Sequence, residues 1–191
     1  MKHIKMLGLA VMALAAFMAL AGNASAAALT SPAGTEYTGE LNATATSSLL
    51  LKAGFANITC TSSTVKGKVE TNGATTAGGK ISTLSFSNCG SAVVTTFKTG
   101  SLEIVSAGGG KGTVKGSGSE VTVGIPAFGV TCDYGTTAST TLGTLTGGTT
   151  ATMTISANLP LISATGSFGC ASPAAWSGTY SVTSPDTLLV D

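Results

Sequence analysis

The sequence predicts an all-β chain, a duplicated antiparallel β-sandwich of immunoglobulin-like or jelly-roll-like type with two disulfides, on three observations. Short runs rich in Thr, Val and Ile alternate apolar with polar residues, as a half-buried strand requires. Glycine-containing breaks punctuate these runs at short intervals. Four cysteines fall so that two similarly ordered halves each hold a pair.

At the N-terminus, Lys2, His3 and Lys5 precede an apolar run from Met6 to Leu20, and Ala24-Ser25-Ala26 offers a small-x-small cleavage site. This pattern predicts a secretory signal over residues 1–26, cleaved after Ala26. No second long apolar run follows, so no membrane span is expected after cleavage. The remaining 165 of 191 residues suffice for one substantial domain or two small ones packed together.

The first β half is expected over residues 27–107 and the second over 108–191, with the boundary near Gly108 to Gly112. Leu84 and Phe86 alternate with Ser85 and Ser87, and Leu102 and Ile104 flank Glu103. Val121 and Val123 flank Thr122, and Met153 and Ile155 flank Thr154. Each set puts its apolar side chains on one strand face. Asn72-Gly73, Gly78-Gly79, Gly108-Gly109-Gly110 and Gly147-Gly148 read as turns.

The halves repeat a sequence order. Phe55 through Ile58-Thr59-Cys60 recurs as Phe128 through Val130-Thr131-Cys132. Lys66-Gly67-Lys68-Val69 matches Leu142-Gly143-Thr144-Leu145, and Ser85-Phe86-Ser87-Asn88-Cys89 matches Gly166-Ser167-Phe168-Gly169-Cys170. Each half then closes on an apolar strand, Leu102 to Val105 and Leu188 to Val190. The spacings, 72 residues between Cys60 and Cys132 and 81 between Cys89 and Cys170, are too long for a solenoid and suit a duplicated strand module.

An even cysteine set behind a secretion signal predicts two disulfides. Four cysteines allow three pairings; the repeat favours Cys60 with Cys89 and Cys132 with Cys170, one bridge per half. A zinc site is disfavoured because no C-x-x-C pair occurs.

The only histidine, His3, lies in the signal, and the chain has no arginine. A Ser-His-Asp or Cys-His arrangement is therefore excluded after cleavage. The lysines sit in strand or turn contexts that read as solvated, which disfavours a Ser-Lys pair, and the acids Glu36, Glu40, Glu70, Glu103, Glu120, Asp133, Asp186 and Asp191 are too isolated to suggest a glycosidase pair or a calcium loop. Gly108-Gly109-Gly110-Lys111-Gly112 lacks the Ser or Thr and the helix of a phosphate loop. The chain is expected not to be an enzyme and to need no cofactor or metal. Only 9% of residues are charged, and after cleavage seven lysines face eight acids, which gives no basis for nucleic-acid binding.

With its secretion signal, the opening Leu29-Thr30-Ser31-Pro32-Ala33-Gly34, the repeated F-x-x-x-T-C-like strands and a body rich in Thr, Ser, Gly and Ala, the chain resembles small secreted bacterial β-proteins, notably the family called protein activator of alkane oxidation. The resemblance implies an exported surface or matrix protein linked to biofilm, self-assembly or hydrophobic substrates, and carries over no functional residue.

The expected function is that of an exported, non-enzymatic structural or adhesive protein of the bacterial cell surface or extracellular matrix. It would assemble with copies of itself through strand edges. A fimbrial variant would donate the segment Ala27 to Tyr37 to a neighbour. The alternative is a monomeric secreted binding module for a carbohydrate or an apolar ligand, with Trp176 and Tyr180, at i and i+4, as its candidate ligand-binding residues.

Overall fold

Residues 28–54, 56–166 and 169–191 are described by the computed structural model. The expected signal segment, Ala27, Phe55 and Phe168 lie outside them. In chain order the strands are β1 (Leu29–Thr30), β2 (Glu40–Ala45), β3 (Leu49–Gly54), β4 (Asn57–Cys60), β5 (Ser62–Asn72), β6 (Thr76–Ser87), β7 (Val93–Lys98) and β8 (Ser101–Gly108). They continue as β9 (Lys111–Ser117), β10 (Glu120–Ile125), β11 (Val130–Gly135), β12 (Thr140–Thr146), β13 (Thr152–Leu159), β14 (Leu161–Thr165), β15 (Cys170–Ser184) and β16 (Leu189–Val190). The one helical turn among them is a 3₁₀ turn, Pro126–Phe128, in the β10–β11 hairpin.

Two-residue periodicity decides which side chains go inside. In β13, Met153, Ile155, Ala157 and Leu159 are buried while Thr154, Ser156 and Asn158 are exposed. In β5, Ser63, Val65 and Val69 are buried while Lys66, Lys68 and Glu70 face water. Lys66 pairs with Thr83 and Gly67 with Ile81, so Ser82 is an unpaired extra residue. This bulge lets Ile81 and Leu84, three positions apart, both turn to the interior.

The largest sheet is barrel-like. Its order runs β13-β12-β9-β8-β6-β5-β2-β15, and a further β13–β15 ladder from Thr152 opposite Ser181 to Leu159 opposite Ala174 closes the ring. All neighbours in the ring are antiparallel. The sequence pattern leads to an expectation of two open sheets face to face; the closing ladder instead wraps the main sheet around its own core. Alternation specifies one buried face per strand, which a sandwich and a barrel satisfy equally. Along the ring β2, β5, β6 and β8 follow one another, then β9, β12, β13 and β15 in the corresponding order.

Gly78 and Gly79 do not form a turn. They lie inside β6, hydrogen-bonded between β5 and β8. A Cβ on Gly79 would stand 1.8 Å from the Lys68 carbonyl oxygen, and one on Gly143 of β12 would stand 1.9 Å from that of Thr154. Glycine is needed at both positions for close backbone approach, not for turning.

One end of the barrel carries the β1–β16 ribbon, where Leu29 faces Val190 and Thr30 faces Leu189. Leu29 and Leu188 are fully buried there. Asn72 clamps this end: its Oδ1 accepts from Leu29 N–H at 3.1 Å, and its Nδ2 donates to the carbonyls of Leu29 at 2.6 Å and Tyr37 at 3.0 Å. From Ala28 onward, the segment proposed as a donor strand is thus docked on its own chain. Leu188 to Val190, matched in sequence to Leu102 to Val105, lies in this ribbon outside the ring, while Leu102 to Val105 belongs to ring strand β8.

At the other end the chain leaves the ring three times to build a second sheet, through β7, through the β10–β11 hairpin and through β14. Between β7 and β8, Gly100 has φ +71°, and a Cβ there would meet Ser117 O at 2.4 Å. Pro160, which cannot donate a ladder hydrogen bond, separates β13 from β14. The departing strands flank the β10–β11 hairpin to form a four-stranded sheet, order β14-β11-β10-β7. β3 and β4 extend the main sheet from β15 beside it. Two disulfides brace this end: Cys60–Cys89 ties the end of β4 to the chain after β6, and Cys132–Cys170 ties β11 to the start of β15. Disulfides are compatible with an extracellular location. Among the described residues no helix is long and apolar enough to cross a membrane.

Candidate functional site

The four-stranded sheet has two faces with different chemistry. Register places Val94 of β7 opposite Val123 of β10, and Val123 opposite Cys132 of β11. These residues, with Val121 and Tyr134, share the inward face. Opposite them stand Leu84 and Phe86 of β6, Leu142 of β12, Met153 and Ile155 of β13, and Trp176 of β15. Between them lies a cavity of about 80 Å³ whose lining contains no charged side chain. A second cavity of about 50 Å³ continues along the barrel toward Leu29. The two share Val65, Ile81, Leu102 and Met153 as walls.

Trp176 and Tyr180 both point inward, because residues four apart on a strand share a face. They do not form an exposed aromatic platform. Trp176 lines the larger cavity and meets Phe86 edge to face at 6.3 Å between ring centres. Tyr180 is fully buried, and its hydroxyl shares a 3.0 Å hydrogen bond with the Ser63 hydroxyl. Burial pushes the Tyr180 phenol up to about 12, partly offset by that bond. Cys60 borders the cavity and Cys132 is completely buried beside it, so the bridges are walls and braces of the site.

Tyr134, absent from the sequence-based candidates, is 1% exposed and lines the same cavity. Its hydroxyl is the one buried side-chain polar atom without a hydrogen-bond partner among the described residues. The Ala171 backbone N–H faces the phenol oxygen, outside hydrogen-bond geometry, and burial raises the phenol pKa more than that N–H lowers it. Two polar residues of the same lining are engaged with their own surroundings: Ser119 N–H donates to Thr136 Oγ1 at 2.9 Å, and Ser119 Oγ donates to Thr99 O at 2.6 Å.

The outward face presents a polar row of Thr95, Thr122, Asp133 and Ser163 across the four strands. Thr122 Oγ1 donates to Asp133 Oδ1 at 2.6 Å and Ser163 Oγ donates to Oδ2. The Ser163 bond, then that of Thr122, holds the Asp133 carboxyl below the usual carboxylate range. Lys98 of β7 pairs with Glu120 of β10 at 2.6 Å. Among the described residues the large exposed apolar side chains all belong to this sheet and its hairpin turn: Val93 and Phe97 on β7, Phe128 on the turn and Ile162 on β14.

A hint of this was present in sequence. Val93-Val94 and Leu161-Ile162 place apolar residues at both parities, so one of each must face away from the core. Among the described residues no group of three or more His, Cys, Asp or Glu could hold a metal ion. An uncharged, apolar cavity can exclude water and hold an apolar molecule; it has no carboxylate, imidazole or amine in its lining for proton transfer. No known protein family, curated protein or solved structure matches the chain.

Proposed function

We propose that the protein is an exported, non-enzymatic structural or adhesive component of the bacterial surface or extracellular matrix, built by internal duplication, that associates with copies of itself through the four-stranded sheet. The observation that carries this reading is the gathering of Val93, Phe97, Phe128 and Ile162 on one sheet whose outer strands, β7 and β14, have no ladder on their far sides. Exposed apolar residues concentrated on one sheet, with unpaired edge strands, mark an association surface. Closure of the barrel removes edges from the ring strands, and of the edges that remain, at β4, the β1–β16 ribbon, β7 and β14, it is β7 and β14 that carry the exposed Val93, Phe97 and Ile162. The formal charge of +1 over the whole chain leaves little repulsion between copies.

Light scattering after size-exclusion chromatography of the oxidised protein over a concentration series tests this. The mass is expected to rise with concentration, and Phe97→Lys with Ile162→Lys is expected to return it to that of a monomer. A monomer at every concentration refutes self-association. Assembly untouched by the two lysines places the contact elsewhere.

A further inference from the structure

We infer that the cavity beneath the four-stranded sheet takes up the end of an uncharged alkyl chain, which enters at the seam between β6 and β7 while the rest of its molecule stays outside. This goes beyond the assembly reading and does not depend on it.

The lining decides the chemistry. It carries no charged or amide side chain, so an ionised or strongly polar group would lose its hydration there with nothing to replace it. Ser119 and Thr136 are engaged with each other and with Thr99, and the Tyr134 hydroxyl is closed off and offers no contact. What remains is aliphatic and aromatic surface, including Val121, Val123, Leu142, Ile155 and Trp176. Such walls favour apolar area and disfavour water, which needs two to four polar partners when buried.

Size and access decide the form of the ligand. The volume of about 80 Å³ is roughly half the ~150 Å³ of an apolar protein cavity that accepts benzene, which suits a segment of about four carbons. The cavity is partly open to solvent. Leu84 and Phe86 of β6 and Val94 of β7 all line it, yet each keeps part of its surface exposed. The β6–β8 ladder ends at Lys80 opposite Ser101, Ile81 N–H still reaches Gly100 O at 3.0 Å, and beyond that no ladder joins β6 to β7. Across this seam a side chain makes the link, Thr96 Oγ1 donating to Leu84 O at 2.6 Å. A seam without a ladder is where the wall opens with the least loss of hydrogen bonding.

The test titrates the oxidised protein with the 1-alkanols from ethanol to 1-octanol. Binding is followed by fluorescence of Trp176, the only tryptophan in the chain, and by methyl NMR shifts. Affinity is expected to rise roughly fourfold per methylene, the ratio that one buried CH₂ supports, and to level off once about four carbons fill the cavity. The shifts are expected at Val123, Leu142 and Ile155. Affinity independent of chain length, or shifts confined to the exposed Val93 and Ile162, overturns the site in the unsubstituted protein, whether or not any variant folds. Val94→Phe, which fills the space from the seam side, is expected to weaken 1-butanol at least tenfold, and unchanged binding in that variant also overturns the site. Thr96→Val removes the link across the seam and is expected to raise the on- and off-rates together, with the affinity held within about twofold. Unchanged rates overturn the entrance. None of these outcomes bears on the oligomer measurement, so this inference and the assembly reading fail separately.

Discussion

Two buried tyrosines differ in one respect, and that difference predicts opposite responses to the same substitution. Tyr180 is 0% and Tyr134 1% exposed, but only the Tyr180 hydroxyl has a hydrogen-bond partner, Ser63 Oγ at 3.0 Å. Tyr180→Phe strands the Ser63 hydroxyl, itself 3% exposed, and should cost roughly 1–3 kcal/mol. Ser63→Ala strands the Tyr180 hydroxyl at a similar cost. The double variant removes both polar groups together, so it should cost less than the sum, with a coupling of roughly 1–2 kcal/mol. Tyr134→Phe removes a hydroxyl that has no partner to strand and should lie within about 0.5 kcal/mol of neutral, or stabilise. Urea denaturation followed by Trp176 fluorescence reads all four variants, and the comparison holds if the m-value stays constant. Equal losses for Tyr134→Phe and Tyr180→Phe, or strict additivity of Ser63→Ala with Tyr180→Phe, would refute the reasoning.

The same tyrosine sets an alkaline limit. With a phenol at about 12 in the fold against 10.0 when exposed, Tyr180 favours the fold while neutral. This contribution is complete below pH 10 and is lost as pH rises through about 12, by up to roughly 1.4 kcal/mol per pH unit in that window. Denaturation midpoints at pH 9, 10 and 11 should fall less steeply in Tyr180→Phe; parallel slopes would show that its ionisation is not coupled to folding. The two disulfides close loops of 29 and 38 residues, and chain entropy assigns each about 3.5–4 kcal/mol. Full reduction removes a sum comparable to the whole stability of a typical domain, so the reduced protein should unfold at far lower urea than the oxidised one. An unchanged midpoint on reduction, with four free thiols verified by mass, would contradict that estimate.

Much of this protein was legible from its residues. Alternation in stretches such as Thr152–Leu159 specifies strands and their buried faces, because a period of two leaves no other secondary structure that gathers Met153, Ile155 and Leu159 on one side. The repeat order led to the cysteine pairing that the structure contains, Cys60 with Cys89 and Cys132 with Cys170. Tertiary structure alone decided the rest. Whether half-buried strands stack as open sheets or close into a ring depends on the β13–β15 ladder between distant segments, a choice to which alternation is blind. Gly78 and Gly79 have turn chemistry in sequence, but neighbouring strands crowd them into the middle of β6. Trp176 and Tyr180 share a face by spacing, and only the curvature of the barrel makes that face the interior. The cavity and the unpaired Tyr134 hydroxyl have no sequence signature at all, since both arise from how two sheets with interleaved strands meet, and packing gaps are a property of that meeting.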